Sequence, residues 1–220
     1  MKDKIKVKNT KEISIILDKL KHIADESVKR GEKAPVYNLC AIHIPGTNLF
    51  CGGNKDIPRE KMPQLKGFAS SGSLADKLPK SKDGEVDTEN LFKKALVKVG
   101  AKMKKGQIPV TNLKSTQNEL VGSKVAQMVG KLKEDPNHSM LTTPIFISKD
   151  NYVLDGHHRW AAAVGLSIKN NEKVNMNVVK VDMGIKDLLK FSNDFCDKIG
   201  LQQKGLKERF YNRSVKDILL

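Results

Sequence analysis

Apolar residues between Glu12 and Lys29 recur at Ile13, Ile16, Leu17, Leu20, Ile23, Ala24 and Val28, the spacing of one helical face, and Gly31 ends the run. Such a stripe predicts a helix packed on the rest of the protein. Residues 36–44 and 49–51 predict two short strands around the turn Pro45-Gly46-Thr47-Asn48. A helix opens near Val86, with Asp87 or Thr88 as N-cap, Leu91, Phe92, Ala95, Leu96 and Val99 inward, and Gly100 at its end. Ser123 caps a further predicted helix whose inner face is Val125, Met128, Val129 and Leu132, followed by a turn at residues 134–137. Residues 174–181 alternate as a strand does. Residues 185–199 predict a helix with Leu188, Leu189, Phe195 and Ile199 inward, and residues 205–220 a short basic one. Between them, residues 52–84 are rich in Gly, Pro, Ser, Lys and Asp, yet Ile57, Met62, Leu65 and Phe68 interrupt the polar run. That composition predicts an ordered arm lying across the domain. Arg59, within it, has a structural ion pair or a phosphate contact as its alternatives.

The segment Tyr152 to Ala163 changes the picture. A short apolar run ends in Asp155 and Gly156; His157, His158 and Arg159 then stand at the head of an alanine-rich helical segment. A strand, a glycine turn and a helix N-terminus present backbone N–H groups and a positive dipole end to an anion. Arg159 in the first turn adds a planar fork of donors suited to phosphate oxygens. Trp160, the single tryptophan, reads as core packing behind this corner.

The run Gly156-His157-His158-Arg159-Trp160-Ala161-Ala162 resembles the signature of the ParB/sulfiredoxin superfamily, in which a strand enters G-x-x-R followed by an apolar residue and alanines. On that resemblance, residues 107–113 are the family's first short strand and loop, Thr116-Gln117-Asn118-Glu119-Leu120 its polar substrate-facing motif, and residues 143–147 the strand before the signature hairpin. The similarity covers roughly residues 106–182. It implies an α/β (α+β) fold: a ParB/sulfiredoxin-like domain at 101–182, an N-terminal extension at 1–100 (helix, short hairpin, irregular arm, helix) and C-terminal helices at 183–220. Two departures narrow the function. Sulfiredoxins place a reactive cysteine where His157 stands, which excludes sulfinic-acid reductase chemistry here. Residues 183–220 leave no room for the helix-turn-helix segments of a partition-type DNA reader. The nucleotide- and phosphate-handling branch remains, whose relatives are familiar from phage and mobile elements.

Composition bears on partner and compartment. The 220 residues carry a net charge of +15, which favours acidic partners such as nucleic acid or polyphosphate, although lysine spread along a chain also serves solubility. No apolar run is long enough for a membrane span and Met1 to Lys6 leads into no apolar signal region, so the expected compartment is the cytoplasm, or a virion assembled in it. Cys40, Cys51 and Cys196 read as small buried hydrophobes, with no disulfide expected. His43 and His138 lack ligand spacing, so no zinc site is expected.

The resulting expectation is an enzyme acting on the phosphates of a nucleotide or nucleic acid: an NTP hydrolase or phosphotransferase, or a nuclease. Gly156 and Arg159, with Asp155, Gln117 and Asn118, would hold phosphate. His157 or His158 would move a proton, and Glu119 would be the base or a Mg²⁺ partner, with Asp155 as a further Mg²⁺ ligand. Mg²⁺ and a nucleoside triphosphate are the implied cofactors. Each residue has a plainer alternative: Asp155 as helix cap, the histidines as satisfied polar groups, Glu119 as a surface acid. The alternative for the whole chain is a non-catalytic DNA-binding or phage structural module that keeps the phosphate corner.

Overall fold

A computed structural model describes residues 10–41 and 50–202. In chain order the helices are α1 (Thr10–Lys29), α2 (Glu89–Lys98), α3 (Gly122–Glu134), α4 (Ser139–Thr142), α5 (His157–Asn170) and α6 (Ile185–Ile199). The strands are β1 (Lys66–Gly67), β2 (Val86–Asp87), β3 (Met103–Pro109), β4 (Ile145–Ile147) and β5 (Asn175–Val181). β1 and β2 form a small antiparallel ladder. The main sheet has the order β3-β5-β4, with β5 antiparallel to β3 and parallel to β4. The protein is an α+β mixture, as expected. Among the described residues no helix is long and apolar enough to cross a membrane.

The main sheet is covered on both faces because its strands alternate. Met176 and Val178 of β5, with Ile145 and Ile147 of β4, join a core that includes α1, α3 and α5. Val179 and Val181, with Phe146 between the two isoleucines, join a second core with α2, α6 and the arm. The expected N-terminal extension thus contributes α1 to one face and the arm and α2 to the other. α1 docks through Ile13, Ile16, Leu17, Leu20 and Ala24. Burying a large aliphatic side chain contributes about 1.5–3 kcal/mol, whereas an exposed i,i+4 pair such as Lys21–Asp25 contributes only about 0.3–0.5, so the apolar stripe decides the docking. Trp160 is 1% exposed, and its Nε1–H donates to the Val110 carbonyl at 2.8 Å, tying α5 to the turn after β3.

Several expectations need correction. Residues 36–41 carry a single bridge, Asn38 to Val121, and a 3-10 turn rather than a strand, while residues 42–49 lie outside the described residues with the predicted hairpin turn. Cys40 and Cys51 are paired as a disulfide with Cα atoms 5.2 Å apart, a spacing suited to a bridge, against the expectation that neither would pair. Cys196 is a buried free thiol, its pKa pushed up to about 11 by burial. The strand and loop expected at 107–113 are β3, which begins at Met103 and ends at Pro109, and a 3-10 turn at residues 110–112. Ser123 does not cap α3: the helix begins at Gly122, whose amide donates to the Tyr37 carbonyl, and the Ser123 hydroxyl donates to the Pro35 carbonyl. Thr88 is the N-cap of α2, but its hydroxyl donates to the Leu65 carbonyl, and Asp87 accepts from the Glu89 amide. Val28, Leu91 and Val99 are exposed rather than inward, since neither core extends to their positions, and Phe68 of the arm is exposed as well. The predicted basic helix at 205–220 lies outside the described residues.

Gly165 marks where α1, α3 and α5 meet most closely, because a Cβ there would stand 2.7 Å from Val129 Cγ2 and 3.1 Å from Leu17 Cδ1. Gly165→Val is expected to destabilise the protein by about 1–3 kcal/mol through overpacking, despite removing a helical glycine. Denaturant unfolding measures this; equal or greater stability would show that the three helices do not pack as described.

Candidate functional site

The corner at the start of α5 is built by the segment before it, where the expected strand is reduced to isolated bridges at Tyr152 and Val153. Leu154 donates its amide to the Phe146 carbonyl, and the chain then turns at Asp155 and Gly156 into the helix. Gly156 has φ +88°, and a Cβ there would lie 2.6 Å from Ile145 Cγ2 and 3.1 Å from Arg159 Nη2. Backbone conformation and space both demand glycine. This left-handed residue takes the N-cap position expected of Asp155, which stands one residue before it. Arg159 folds back over the turn and donates from Nη1 to the Thr143 carbonyl at 3.0 Å.

The two histidines face the polar loop 114–121. The Thr116 amide donates to His157 Nε2 and the Val121 amide donates to His158 Nε2, each at 3.1 Å. An accepting Nε2 carries no proton, so in this arrangement each neutral ring is protonated at Nδ1. His157 is 5% exposed, and burial holds its pKa down at about 3. A ring with so weak a base and its Nε2 lone pair occupied is unsuited to the proton transfer expected of it; it acts as a fixed acceptor. His158 has the same engagement at Nε2. His138, elsewhere, caps α4 by accepting from the Met140 amide, and His43 lies outside the described residues.

The same loop is held from two further sides. Asn38 donates from Nδ2 to the Asn118 carbonyl and accepts the Leu120 amide. From the arm, Lys55 donates its amide to the Thr116 carbonyl, and Asn118 donates to the Ile57 carbonyl. Glu119 Oε2 accepts the Arg59 amide at 2.9 Å. Glu119, expected as base or metal partner, therefore tethers the arm. The Gln117 amide group donates to the Glu119 carbonyl, and Asn118 Oδ1 is buried without a hydrogen-bond partner.

These elements enclose a cleft of about 170 Å³. Of the expected site residues, Gln117, Asp155, Gly156, His157, His158 and Arg159 line it, whereas Asn118 and Glu119 do not. Arg59 from the arm and Lys124 from α3 line it as well. Among the described residues the cleft is lined by three basic side chains from three separate elements, by the carboxylate of Asp155, and by the positive end of α5. Sequence reading left Arg59 between an ion pair and a phosphate contact and did not single out Lys124, since no motif surrounds either; only the arm's path and the start of α3 bring them here. Among the described residues no group of three His, Cys, Asp or Glu side chains could cage a metal ion.

Comparison with family models, curated proteins and solved structures gives no match to this chain. Function must therefore be argued from the cleft and from the motif that forms it.

The state of His157 has a measurable consequence. Its folded pKa of about 3 lies below the ordinary 6.5, so below pH 6.5 the unfolded chain binds the proton first. Its contribution is undiminished above pH 6.5 and is lost as pH falls from 6.5 towards 3, at a limiting slope of about 1.4 kcal/mol per pH unit. His157→Asn should lose stability at pH 7, and its unfolding free energy should fall less steeply than that of the wild type between pH 6 and 4. Parallel slopes in urea titrations would contradict the buried neutral ring.

Proposed function

We propose that this chain binds the phosphate groups of a nucleotide or nucleic acid at the start of α5, as a member of the ParB/sulfiredoxin superfamily that its Gly156–Ala162 motif resembles. The observation that carries this reading is the meeting of Arg159 with the left-handed Gly156 turn inside one cleft, at the N-terminus of a 14-residue helix. Guanidinium donors and the helix dipole both favour an oxyanion there. The net charge of +15 supports an acidic partner. Binding to DNA or RNA would be mainly electrostatic and insensitive to sequence, since no recognition-helix module is apparent among the described residues.

Turnover is the second reading, and Asp155 favours it as the one carboxylate lining the cleft among the described residues. Mg²⁺ bound with the phosphates would neutralise their charge and polarise the reacting phosphorus. The donor set fits an ion carried in by phosphate oxygens and water with one protein carboxylate, the usual Mg²⁺ arrangement, rather than a resident cage. In this reading Arg159 orients the phosphate and Asp155 holds the ion or takes the proton of the attacking hydroxyl. Glu119, His157 and His158 keep the scaffold in place. The cytoplasm, or a virion assembled in it, is the compartment that composition favours. Pairing of Cys40 with Cys51 is the observation against it, because a reducing compartment keeps thiols apart.

A thermal-shift panel of nucleotides and short DNA, with and without Mg²⁺, followed by phosphate-release assays, tests both readings. Arg159→Ala should fold and weaken phosphate ligands by about 1.5–3 kcal/mol, the range for a charge-assisted hydrogen bond. Unchanged affinity in a folded variant would remove Arg159 from the site. Asp155→Asn should retain binding and, on the catalytic reading, abolish phosphate release. Wild-type protein that binds without releasing phosphate would leave the binding module.

A further inference from the structure

We propose that the Cys40–Cys51 disulfide is a redox-operated clasp: closed, it holds two tethers of loop 114–121 in place, and opened by a dithiol it releases that loop and loosens the cleft beside α5.

One tether precedes the bond and the other follows it. Asn38 donates from Nδ2 to the Asn118 carbonyl at 3.1 Å, and its Oδ1 accepts the amides of Leu120 and of Cys40 itself, at 2.9 and 3.0 Å. The Leu39 amide donates to the Leu120 carbonyl. On the other side, the Cys51 carbonyl accepts both the amide and the Nδ2 of Asn54, whose Oδ1 accepts the Asp56 amide. Between them the Lys55 amide donates to the Thr116 carbonyl, and the Ile57 carbonyl accepts the Asn118 amide. The sulfurs therefore join the two places from which the chain grips the loop.

Single hydrogen bonds contribute little net stability in water, so two short stretches hold a loop well only when they are ordered together. A cross-link does this by removing freedom that each stretch would regain on letting go. The effect reaches the cleft because Gln117 of the loop lines it, with Met62 and Pro63 of the arm. Leu39, Phe50 and Cys51 are packed in the first core, which keeps both stretches on the domain when the bond opens. Opening thus loosens the loop without unfolding the protein.

Cys51 is 2% exposed whereas Cys40 is half-buried, so an incoming thiolate attacks Cys40 Sγ. The new sulfur–sulfur bond forms there, the Cys40–Cys51 bond breaks, and Cys51 leaves as a thiolate that takes a proton. The reductant's second thiol then displaces Cys40, which is protonated in turn, and the reductant departs as its own disulfide. Two electrons and two protons pass to the protein. Cys196 stays out of the exchange: it is packed in the second core, and burial pushes its thiol up to about 11, so little thiolate forms.

Hydrogen exchange on the full chain, air-oxidised or in excess dithiothreitol, tests the clasp. Unfolded in denaturant, the oxidised form should titrate one thiol and the reduced form three. On reduction the amides of Leu39, Lys55, Asn118 and Leu120 should exchange about 10- to 100-fold faster, the lower part of what a short-loop cross-link contributes. Far-UV circular dichroism should keep its folded signal. The Cys40→Ser/Cys51→Ser double variant should exchange at the reduced rate with or without dithiothreitol. The consequence for ligands rests on the phosphate-binding reading above: pyrophosphate, titrated calorimetrically, should bind the oxidised form about 3- to 10-fold more tightly, since binding to the reduced form must also order the loop. Three thiols in the oxidised protein, loop exchange indifferent to reductant, or a reduced chain that unfolds as a whole would overturn the clasp. Equal pyrophosphate affinity in the two forms would overturn its link to the cleft. Pyrophosphate bound by neither form would overturn the phosphate reading instead, with loop exchange still deciding the clasp.

Discussion

Two backbone amides, those of Thr116 and Val121, end on imidazole nitrogens of consecutive residues, and the site depends on that arrangement. Successive helical side chains diverge by about 100°, so His157 and His158 reach different points along the same loop. With both ends fastened to the first turn of α5, the loop can receive the strap at Asn38 from one side and the arm at Ile57 and Arg59 from the other. Burial of an unpaired amide costs roughly 1–3 kcal/mol, so removal of either ring would be felt by every segment that rests on the loop. The histidines contribute order rather than charge.

That division of labour explains how a positive cleft coexists with neutral imidazoles. Among the described residues the basic side chains lining the cleft are Arg59, Lys124 and Arg159, beside the N-terminal end of α5. A protonated His157 would need a hydrogen-bond acceptor where the Thr116 amide stands, and burial opposes its charge besides. Burial thus keeps the His157 ring of this scaffold uncharged near neutral pH.

The two cores bring distant segments to this corner. The sheet presents Ile145, Ile147, Met176 and Val178 to the core of α1, α3 and α5, and Phe146, Val179 and Val181 to that of α2, α6 and the arm. Trp160 anchors α5 in the first of these, behind the cleft, while Met62 and Leu65 anchor the arm in the second. The cleft opens where elements from the two cores approach one another, which is why its cations arrive from separate parts of the chain.

The helices α1, α5 and α6 and the strand β5 could be read from the chain because their signal is local: apolar spacing along a few turns, or alternation along one strand, states which face is buried. The Gly156–Arg159 corner was legible for the same reason, since a glycine turn between an apolar run and a helix depends on neighbours in sequence. What stayed hidden depends on approach across long separations. Glu119 reads as a base or a surface acid until the Arg59 amide reaches it; the histidines read as proton carriers until the loop's amides occupy their Nε2 atoms. Cys40 and Cys51 read as small apolar residues until the chain sets their Cα atoms 5.2 Å apart, and Lys124 reads as one more surface lysine until α3 turns it to the cleft. Spacing along the chain determined the elements and the Gly156–Arg159 corner; the partners of each polar group were decided by tertiary packing, because hydrogen bonds and charges act over a few ångströms of space rather than along the sequence.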